Sequence, residues 1–195
     1  TLFLLSCGGK SGAGDSAAGA EIPTLTPPPA GEGYQISMSG MAPAKSETWL
    51  CEVYNLPTTE YEAVNRVEFL QNAGTHHMTL STLGIGDTGL ENGTYDCHDL
   101  YESSTLMQDQ IMFFGNQGDP EGTLTLPNGV AANLPGGLQV IHEVHYVNTS
   151  DEDLPLYSIL NAWTIPQSDI EEMIWGGSVR DEFIEIPANS EHSEW

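Results

Sequence analysis

Two adjacent histidines, His76 and His77, are the residues of this sequence whose type and spacing best suit chemistry, and they stand in an otherwise apolar, β-leaning run. A second pair, His142 and His145, lies in another strand-like run, residues 139–146. Neutral imidazole is the commonest protein ligand for borderline transition metals. Histidines on two strands of a small β-domain could therefore hold one such ion. The alternative for each of them is the ordinary role of a strand histidine.

The elements that must position these histidines are short segments that alternate apolar and polar residues with a period of two, as half-buried strands do. Strands are predicted over residues 34–38, 48–54, 66–70, 75–83, 107–114, 122–126, 138–148, 156–164 and 182–186. Helical periodicity is weak, with residues 59–64 and 169–175 as the candidates for a short turn. The spacing of the strands predicts an all-β fold, an antiparallel β-sandwich or jelly roll.

Strand geometry sets a condition for an ion shared by His76 and His77. Successive side chains of a strand point to opposite faces, so both rings can reach one ion only where the strand is bulged, strongly twisted or at an edge. Gly74, just before the pair, supplies local backbone freedom for such an irregularity.

Composition narrows the classes of function. The chain has 195 residues, which suggests one domain, or at most one domain with appendages. It carries 4 Lys plus Arg against 28 Asp plus Glu, a net charge of −24. With so few cations to neutralise phosphates, nucleic acid is excluded as a partner. Electrostatic docking on anionic membranes is disfavoured for the same reason. The acidic residues are spread along the chain, which favours a highly solvated surface over an acidic binding tract.

The N-terminal segment resembles the end of a bacterial lipoprotein signal peptide, because a short apolar run leads to Cys7, the predicted lipidated residue. The charged region that precedes such a run is missing, so the N-terminus looks truncated; a chance apolar start is the alternative. Residues 11–33 are rich in Gly, Ala, Ser and Pro and predict a flexible tether. We therefore predict a signal remnant and tether over residues 1–33 and one β-domain over residues 34–195. A lipid on Cys7 would anchor this exported protein to the outer membrane, facing the periplasm or the cell surface.

Two further cysteines, Cys51 and Cys97, remain in the chain. In an exported protein two such cysteines most simply form one disulfide, which would close a loop of roughly 45 residues and stabilise the fold by about 3–4 kcal/mol. The alternative is that cysteine serves as a soft copper ligand.

Several segments, in order, resemble a known family. They are residues 36–41 with Pro43, residues 47–51, residues 56–57, residues 76–78, residues 95–97, residues 126–130 and residues 144–146. Together they resemble the N-terminal catalytic-core domain of the ascorbate-dependent type II copper monooxygenases, the family of peptidylglycine α-hydroxylating monooxygenase and dopamine β-hydroxylase. The resemblance covers most of the chain from about residue 34 to the end.

The resemblance implies two coppers in two jelly-roll domains, the first domain holding the electron-transfer copper on three histidines. His76 and His77 match the adjacent pair of ligands, and His145 matches the third. His142 is the rival for the third ligand; it shares its strand face with apolar residues, so we interpret it as structural or as a support for a ligand. Met78 matches the methionine that follows the histidine pair, and we interpret it as a core residue rather than a ligand.

The resemblance also pairs Cys51 with Cys97, in agreement with the argument from export. Trp49 and Tyr146 are candidates for an apolar wall of the site, with a place in the core as the equal alternative for both. His98 and His192 have no counterpart that we can assign, and we interpret both as surface histidines.

The oxygen-activating copper of the family lies in the second domain, on a His-x-His pair and a methionine, and this sequence contains no His-x-His. The expectation is a fragment of a longer protein whose second copper domain is absent. Ascorbate would reduce the copper of this domain, and the electron would pass to the second copper, where O2 hydroxylates a C–H bond of a small-molecule or peptide substrate. The isolated chain is expected to cycle copper without hydroxylating anything.

Three other functions stay open at this point. The first is a stand-alone copper-binding or electron-carrying lipoprotein. The second is a zinc hydrolase, in which three histidines would activate water and Glu143, the nearby carboxylate, would be the general base. The third is a structural sandwich module without a metal.

Overall fold

The computed structural model describes residues 22–82, 89–102, 110–174 and 188–189. Within these ranges the strands are β1 (Gly33–Ala42), β2 (Ser46–Asn55), β3 (Glu62–Gln71), β4 (Thr75–Thr82), β5 (Gly93–Asp96), β6 (Ile111–Gln117), β7 (Glu121–Thr125), β8 (Val130–Leu134), β9 (Gln139–Asn148), β10 (Leu154–Ile165) and β11 (Glu172–Met173). They are joined by one short helix, α1 (Cys97–Glu102), and a 3-10 turn (Gln167–Asp169).

The strands form two sheets. Sheet A has the order β1-β10-β3-β8-β11, with β7 also paired to β3, and sheet B has the order β5-β2-β9-β4-β6. Every pairing is antiparallel except the short one between β11 and β8. The chain crosses between the sheets at each step from β1 to β4, between β6 and β7, and again at each step from β8 to β10. The prediction of an all-β sandwich is confirmed.

The main core lies between the two sheets, where apolar side chains from their facing sides interdigitate. Val140 and Val144 of β9 pack there with Leu156 and Leu160 of β10, all of them buried. Burial of each such side chain stabilises the fold by roughly 1.5–3 kcal/mol. Because residues of a strand alternate between faces, the same strand β9 sends its other residues to the outer face of sheet B.

A second, smaller cluster covers that outer face. Val53 of β2 and Ile141 of β9 pack there against Leu100 and Tyr101 of α1, next to the Cys51–Cys97 disulfide. Helix α1 has only six residues, too few for a stable isolated helix. Its backbone start is capped by Asp96, whose Oδ1 accepts hydrogen bonds from two backbone N–H groups of the first turn. Sheet B is therefore buried on both sides over part of its length.

The last part of the predicted tether differs from the prediction. Residues 22–30 run without strand pairing along sheet A, and side chains of the domain hold them there. The side-chain amide of Gln35 donates to the Leu25 carbonyl at 2.8 Å, and that of the buried Asn161 donates to the Thr26 carbonyl at 2.8 Å. The folded unit thus begins before residue 34. None of the helices in the described ranges is long and apolar enough to cross a membrane.

Some local predictions are wrong. Residues 59–64 are not helical, since they lead directly into β3. In the described part of the second candidate, residues 169–174, the chain leaves the 3-10 turn at Asp169 and forms β11. Strand β5 and helix α1 were not predicted because they are too short to show a period, and β8 was not predicted because its residues, VAANL, do not alternate between apolar and polar. The predicted strand at residues 182–186 lies outside the described residues.

His142 makes the fold sensitive to acid. Its side chain is 0% exposed in the main core, and its Nε2 lies 2.9 Å from the Ser158 hydroxyl. Burial lowers the pKa of His142 to about 4, whereas a histidine of the unfolded chain titrates near 6.5. Between these values the unfolded state binds more protons than the folded state. The contribution of neutral His142 to the free energy of unfolding is therefore complete above about pH 6.5 and is lost as the pH falls towards 4.

The free energy of unfolding, measured in urea at pH 7.5 and 4.5, should fall by about 2–3 kcal/mol more in the wild type than in His142→Leu. His98→Gln is the matched control, since His98 is exposed beside Glu102, and it should keep the wild-type pH dependence. Equal pH dependence in the wild type and His142→Leu would contradict this account.

Candidate metal centre

Three of the candidate histidines come together at one end of sheet B. The ring centroids of His76 and His77 are 5.3 Å apart, and each lies 5.0 Å from that of His145. The Nδ1 atoms of His76 and His77 are 3.1 Å apart. One ring nitrogen from each of the three residues lies within 4.8 Å of the other two. The rings therefore form a nearly equilateral triangle, with one nitrogen of each ring close enough to the others to share one ion.

A β-bulge in β4 makes this arrangement possible. In the pairing with β9, Thr75 lies opposite Tyr146 and His77 lies opposite His145, with a register shift between Thr75 and His77. His76 is thus the extra residue, and it and His77 can face the same side of the sheet. The bulge follows Gly74, whose positive φ of 89° is a conformation that glycine adopts at little cost.

Three other residues considered for the site, His142, Met78 and Tyr146, lie on the opposite face of sheet B. His142 and Tyr146 alternate with His145 along β9 and point into the main core, as does Met78 after His77 on β4. His142 and Met78 are therefore not brought near the three rings. For Tyr146 the structure therefore bears out the core alternative and not the apolar wall. Trp49 is correctly placed, since it pairs with His145 across β2 and β9 and its ring centroid lies 5.9 Å from the imidazole.

Two carboxylates hold the outer nitrogens of two of the rings. His77 Nε2 lies 2.8 Å from Glu143 Oε1, and His145 Nε2 lies 2.6 Å from Glu47 Oε1. In each pair Nε2 is the donor to the carboxylate, which leaves Nδ1 as the nitrogen with a free lone pair. This carboxylate–histidine arrangement is the usual one behind metal-bound imidazoles, because it fixes the tautomer and the ring orientation.

Glu143 is the buried member of these carboxylates, with 6% of its surface exposed. Its Oε2 accepts a hydrogen bond of 2.7 Å from the Tyr101 hydroxyl, so both of its oxygens are engaged. Burial alone would raise the pKa of Glu143, but the hydrogen bonds from His77 and Tyr101 outweigh it and hold the pKa below its ordinary value. Glu143 is therefore an ionised anchor behind His77.

The centre is shallow. His76 is exposed, and the side chains of His77 and His145 keep 28% and 17% of their surface accessible. A small reagent can therefore reach the space between the three imidazoles, while Glu143 and Glu47 hold the far side of the His77 and His145 rings.

The predicted disulfide between Cys51 and Cys97 is confirmed, and it closes a sequence separation of 46 residues. Because the two sulfurs are bonded to each other, neither is a thiolate ligand in this structure. His98 is exposed, as predicted. Cys7 and His192 lie outside the described residues.

Glu47 and Tyr101 were not predicted to take part in the site, and Glu143 was considered only as a general base. Glu47 pairs with Val147 and Trp49 pairs with His145, so Glu47 lies two residues before the position opposite His145. That register cannot be read from one strand alone. Tyr101 reaches Glu143 from α1, a helix too short to be predicted. The alternation of β9 was a usable signal for Glu143, since it places Glu143 on the face of His145.

No family model matches the chain, and no curated protein matches it. Among solved structures it is similar to PliG, a periplasmic inhibitor of g-type lysozyme from Aeromonas hydrophila, with 12% identity and a TM-score of 0.30 over 69% of this chain and 89% of that one. It is also similar to the Yersinia pseudotuberculosis-derived mitogen YPM, with 14% identity and a TM-score of 0.32 over 70% of this chain and 93% of that one. These distant likenesses carry no argument about function, which rests on the geometry of the three histidines.

Proposed function

We propose that this chain binds one copper ion through His76, His77 and His145 and serves as the electron-transfer domain of an ascorbate-dependent copper monooxygenase. The observation that carries the proposal is the convergence of three imidazoles from two strands, achieved through a bulge and backed by two carboxylates. The ordered sequence resemblance to that family supports the choice of metal and reaction.

The donor set suits copper. Two nitrogens that each lie about 2.0 Å from one ion at tetrahedral or trigonal angles are about 3.3–3.5 Å apart. The Nδ1 atoms of His76 and His77, at 3.1 Å, are close to that separation. Imidazole is a ligand for copper as well as for zinc. Copper bound here would supply one-electron redox chemistry between Cu(II) and Cu(I).

The residues of the chain supply the geometry of the centre. Glu143 and Glu47 hold His77 and His145 in the tautomer that presents Nδ1, and Trp49 packs beside His145. The exposed side of the triangle admits a small reductant such as ascorbate. In this proposal the electron would go to an oxygen-activating copper domain, in the same full-length chain or in a partner. There O2, two electrons in all and two protons would hydroxylate a small-molecule or peptide substrate and form one water.

The disulfide supports an exported location, because disulfides persist in oxidising compartments. We further propose that the chain is a lipoprotein anchored through Cys7 to the outer membrane, facing the periplasm or the cell surface. Mass spectrometry of the protein from a bacterial membrane fraction would test this, with diacylglycerol on Cys7 as the expected result and an unmodified Cys7 as the contrary one.

The test of the function begins with copper stoichiometry and redox cycling. Dialysed after copper loading, the protein should retain one copper per chain, and its Cu(II) electron paramagnetic resonance signal should disappear on adding ascorbate. Mixed with the separate oxygen-activating domain, the reduced protein should support hydroxylation and return to Cu(II). Failure to retain copper would contradict the proposal. Copper cycling without transfer to any such domain would instead favour a stand-alone electron carrier.

A zinc hydrolase is poorly supported by the geometry. Both oxygens of Glu143 are occupied by His77 and Tyr101, so this carboxylate is not available to take a proton from a water at the centre. We therefore infer that Glu143 holds His77 in place and does not act as a general base. Hydrolysis of activated esters by the zinc-loaded chain, abolished in Glu143→Gln, would reverse this conclusion.

The net charge of −24 leads to a prediction about the reductant. Ascorbate is an anion at neutral pH, so the protein repels it, and salt screens this repulsion. The rate of copper reduction by ascorbate should therefore rise several-fold between about 10 mM and 200 mM ionic strength, as measured by stopped flow. The cationic reductant hexaammineruthenium(II) is the control, and its rate should fall over the same range. A salt-independent ascorbate rate would contradict the prediction.

A further inference from the structure

A buried chain of hydrogen bonds connects helix α1 to a ring of the metal centre. The Tyr101 hydroxyl donates to Glu143 Oε2 at 2.7 Å, and Glu143 Oε1 accepts from His77 Nε2 at 2.8 Å. Gln110 extends the chain, since its Nε2 donates to the Tyr101 oxygen at 3.1 Å and to the Ser81 hydroxyl at 2.8 Å. Tyr101, Gln110, Ser81 and Glu143 are all buried.

Burial makes the position of Glu143 depend on its partners. An ionised carboxylate away from water is stable only where hydrogen bonds replace its hydration. With one oxygen on Tyr101 and the other on His77, the carboxylate plane is fixed at both ends, and the His77 ring is fixed with it. Removal of the Tyr101 bond would leave Oε2 without this donor, in a carboxylate with only 6% of its surface exposed.

The position of Tyr101 is itself anchored. It lies one turn after Cys97, the residue that begins α1 and forms the disulfide with Cys51 on β2. The Tyr101 ring packs against Trp49, with centroids 5.5 Å apart, and Trp49 in turn contacts the His145 ring. Tyr101 thus contacts Glu143, which holds His77, and Trp49, which packs beside His145. It is not one of the three residues that would bind the ion.

We propose that Tyr101 is a positioning residue for the metal centre, acting through Glu143 on His77 and fixed in place by the disulfide-anchored helix. The proposal rests on the proposed function only in taking copper as the ion. It adds a contact behind His77, on the side away from the ion, and this contact determines how firmly the His77 ring is held in the orientation that binds copper.

Tyr95 provides a matched comparison in the same outer cluster. It is half-buried on β5, and its hydroxyl donates to the Glu91 carbonyl at 2.7 Å, away from the chain of hydrogen bonds to His77. Tyr95→Phe and Tyr101→Phe therefore remove the same group from the same layer of the protein. A difference between them in metal binding reports the connection to Glu143 and not the general loss of a hydroxyl.

The experiment measures copper(II) affinity by chelator competition for the wild type, Tyr101→Phe, Tyr95→Phe, Glu143→Gln and the Tyr101→Phe/Glu143→Gln double variant. Loss of an outer partner of a metal-bound histidine typically lowers affinity by about 10–100-fold. Glu143→Gln should lie near the low end of that range, because glutamine keeps an acceptor for His77. Tyr101→Phe, one contact further out, should lose about three- to tenfold, and Tyr95→Phe should match the wild type.

The double variant decides whether Tyr101 acts through Glu143. If it does, the two losses are not additive, and the double variant should bind copper about as well as Glu143→Gln. Losses that multiply, or a Tyr101→Phe variant with wild-type affinity, would overturn the proposal. So would equal losses in Tyr101→Phe and Tyr95→Phe.

A metal-free readout separates this proposal from the proposed function. In the apo protein, the nitrogen-15 NMR spectrum of His77 should show a protonated, slowly exchanging Nε2 that exchanges faster in Tyr101→Phe and is unchanged in Tyr95→Phe. If the wild type retains no copper but shows this pattern, the function fails and the positioning role stands. If the His77 signals are the same in Tyr101→Phe and the wild type, the positioning role fails whatever the protein binds.

Discussion

His77→Ala is expected to lower the affinity for copper by at least about 100-fold. The variant removes one of three ligands, which should exceed the loss of about 10–100-fold that follows from removing an outer partner of a ligand. His77 also carries the contact to Glu143, so the variant leaves a buried carboxylate with one hydrogen bond fewer. Isothermal titration with a competing chelator measures the change, and His145→Ala should behave similarly.

His98→Ala is the control for this prediction, because His98 is an exposed histidine on α1 outside the triangle. It should bind copper as the wild type does. Wild-type affinity in His77→Ala, or equal losses in His77→Ala and His98→Ala, would show that copper binds elsewhere on this acidic surface.

Removal of the disulfide by the Cys51→Ala/Cys97→Ala double variant should lower the free energy of unfolding by about 4 kcal/mol. In the chain-entropy model this is the stabilisation expected from closing a loop with a sequence separation of 46 residues. Both cysteines are fully buried, and the bond ties a six-residue helix to the sheet, so the loss should also free α1. Urea unfolding at pH 7.5 measures the change.

The alanine variant avoids thiols, which would bind copper themselves and obscure the comparison. A Cys51→Ser/Cys97→Ser variant serves as a second form in case alanine leaves too large a void. A loss below about 1 kcal/mol in both variants would contradict the prediction. The copper affinity of whichever variant folds should also fall, since α1 carries Tyr101.

The fold was largely predictable because its long strands alternate cleanly. Strand β1, for example, buries Ile36 and Met38 in the main core and exposes Ser37 between them, and a period of two follows directly from that burial. The short elements escaped prediction for a physical reason. Strand β5 has four residues and α1 has six, so what holds them is pairing and a disulfide and not a pattern of their own. Residues 22–30 look like a linker by composition, yet Gln35 and Asn161 of the domain bind their backbone.

The site was predictable in its residue types and less so in its support. His76, His77 and His145 were predicted from the sequence, as was the need for a strand irregularity next to Gly74. The register shift between Thr75 and His77 is the bulge that meets this need. The contacts of Glu47 and Tyr101 depend on strand register and on the placement of α1, which are tertiary facts. For Tyr146 strand alternation decides between the two alternatives, because a residue adjacent to His145 in a strand lies on the opposite face, here in the core.

X-ray absorption spectroscopy at the copper edge, on the loaded and ascorbate-reduced protein, tests most directly whether three imidazoles hold one copper. The account predicts three nitrogen scatterers at about 2.0 Å with the outer-ring signature of imidazole and no sulfur at about 2.3 Å. In His77→Ala the count should fall to two. A sulfur scatterer, or a shell of oxygens without imidazole, would contradict the assignment of His76, His77 and His145 as the copper ligands.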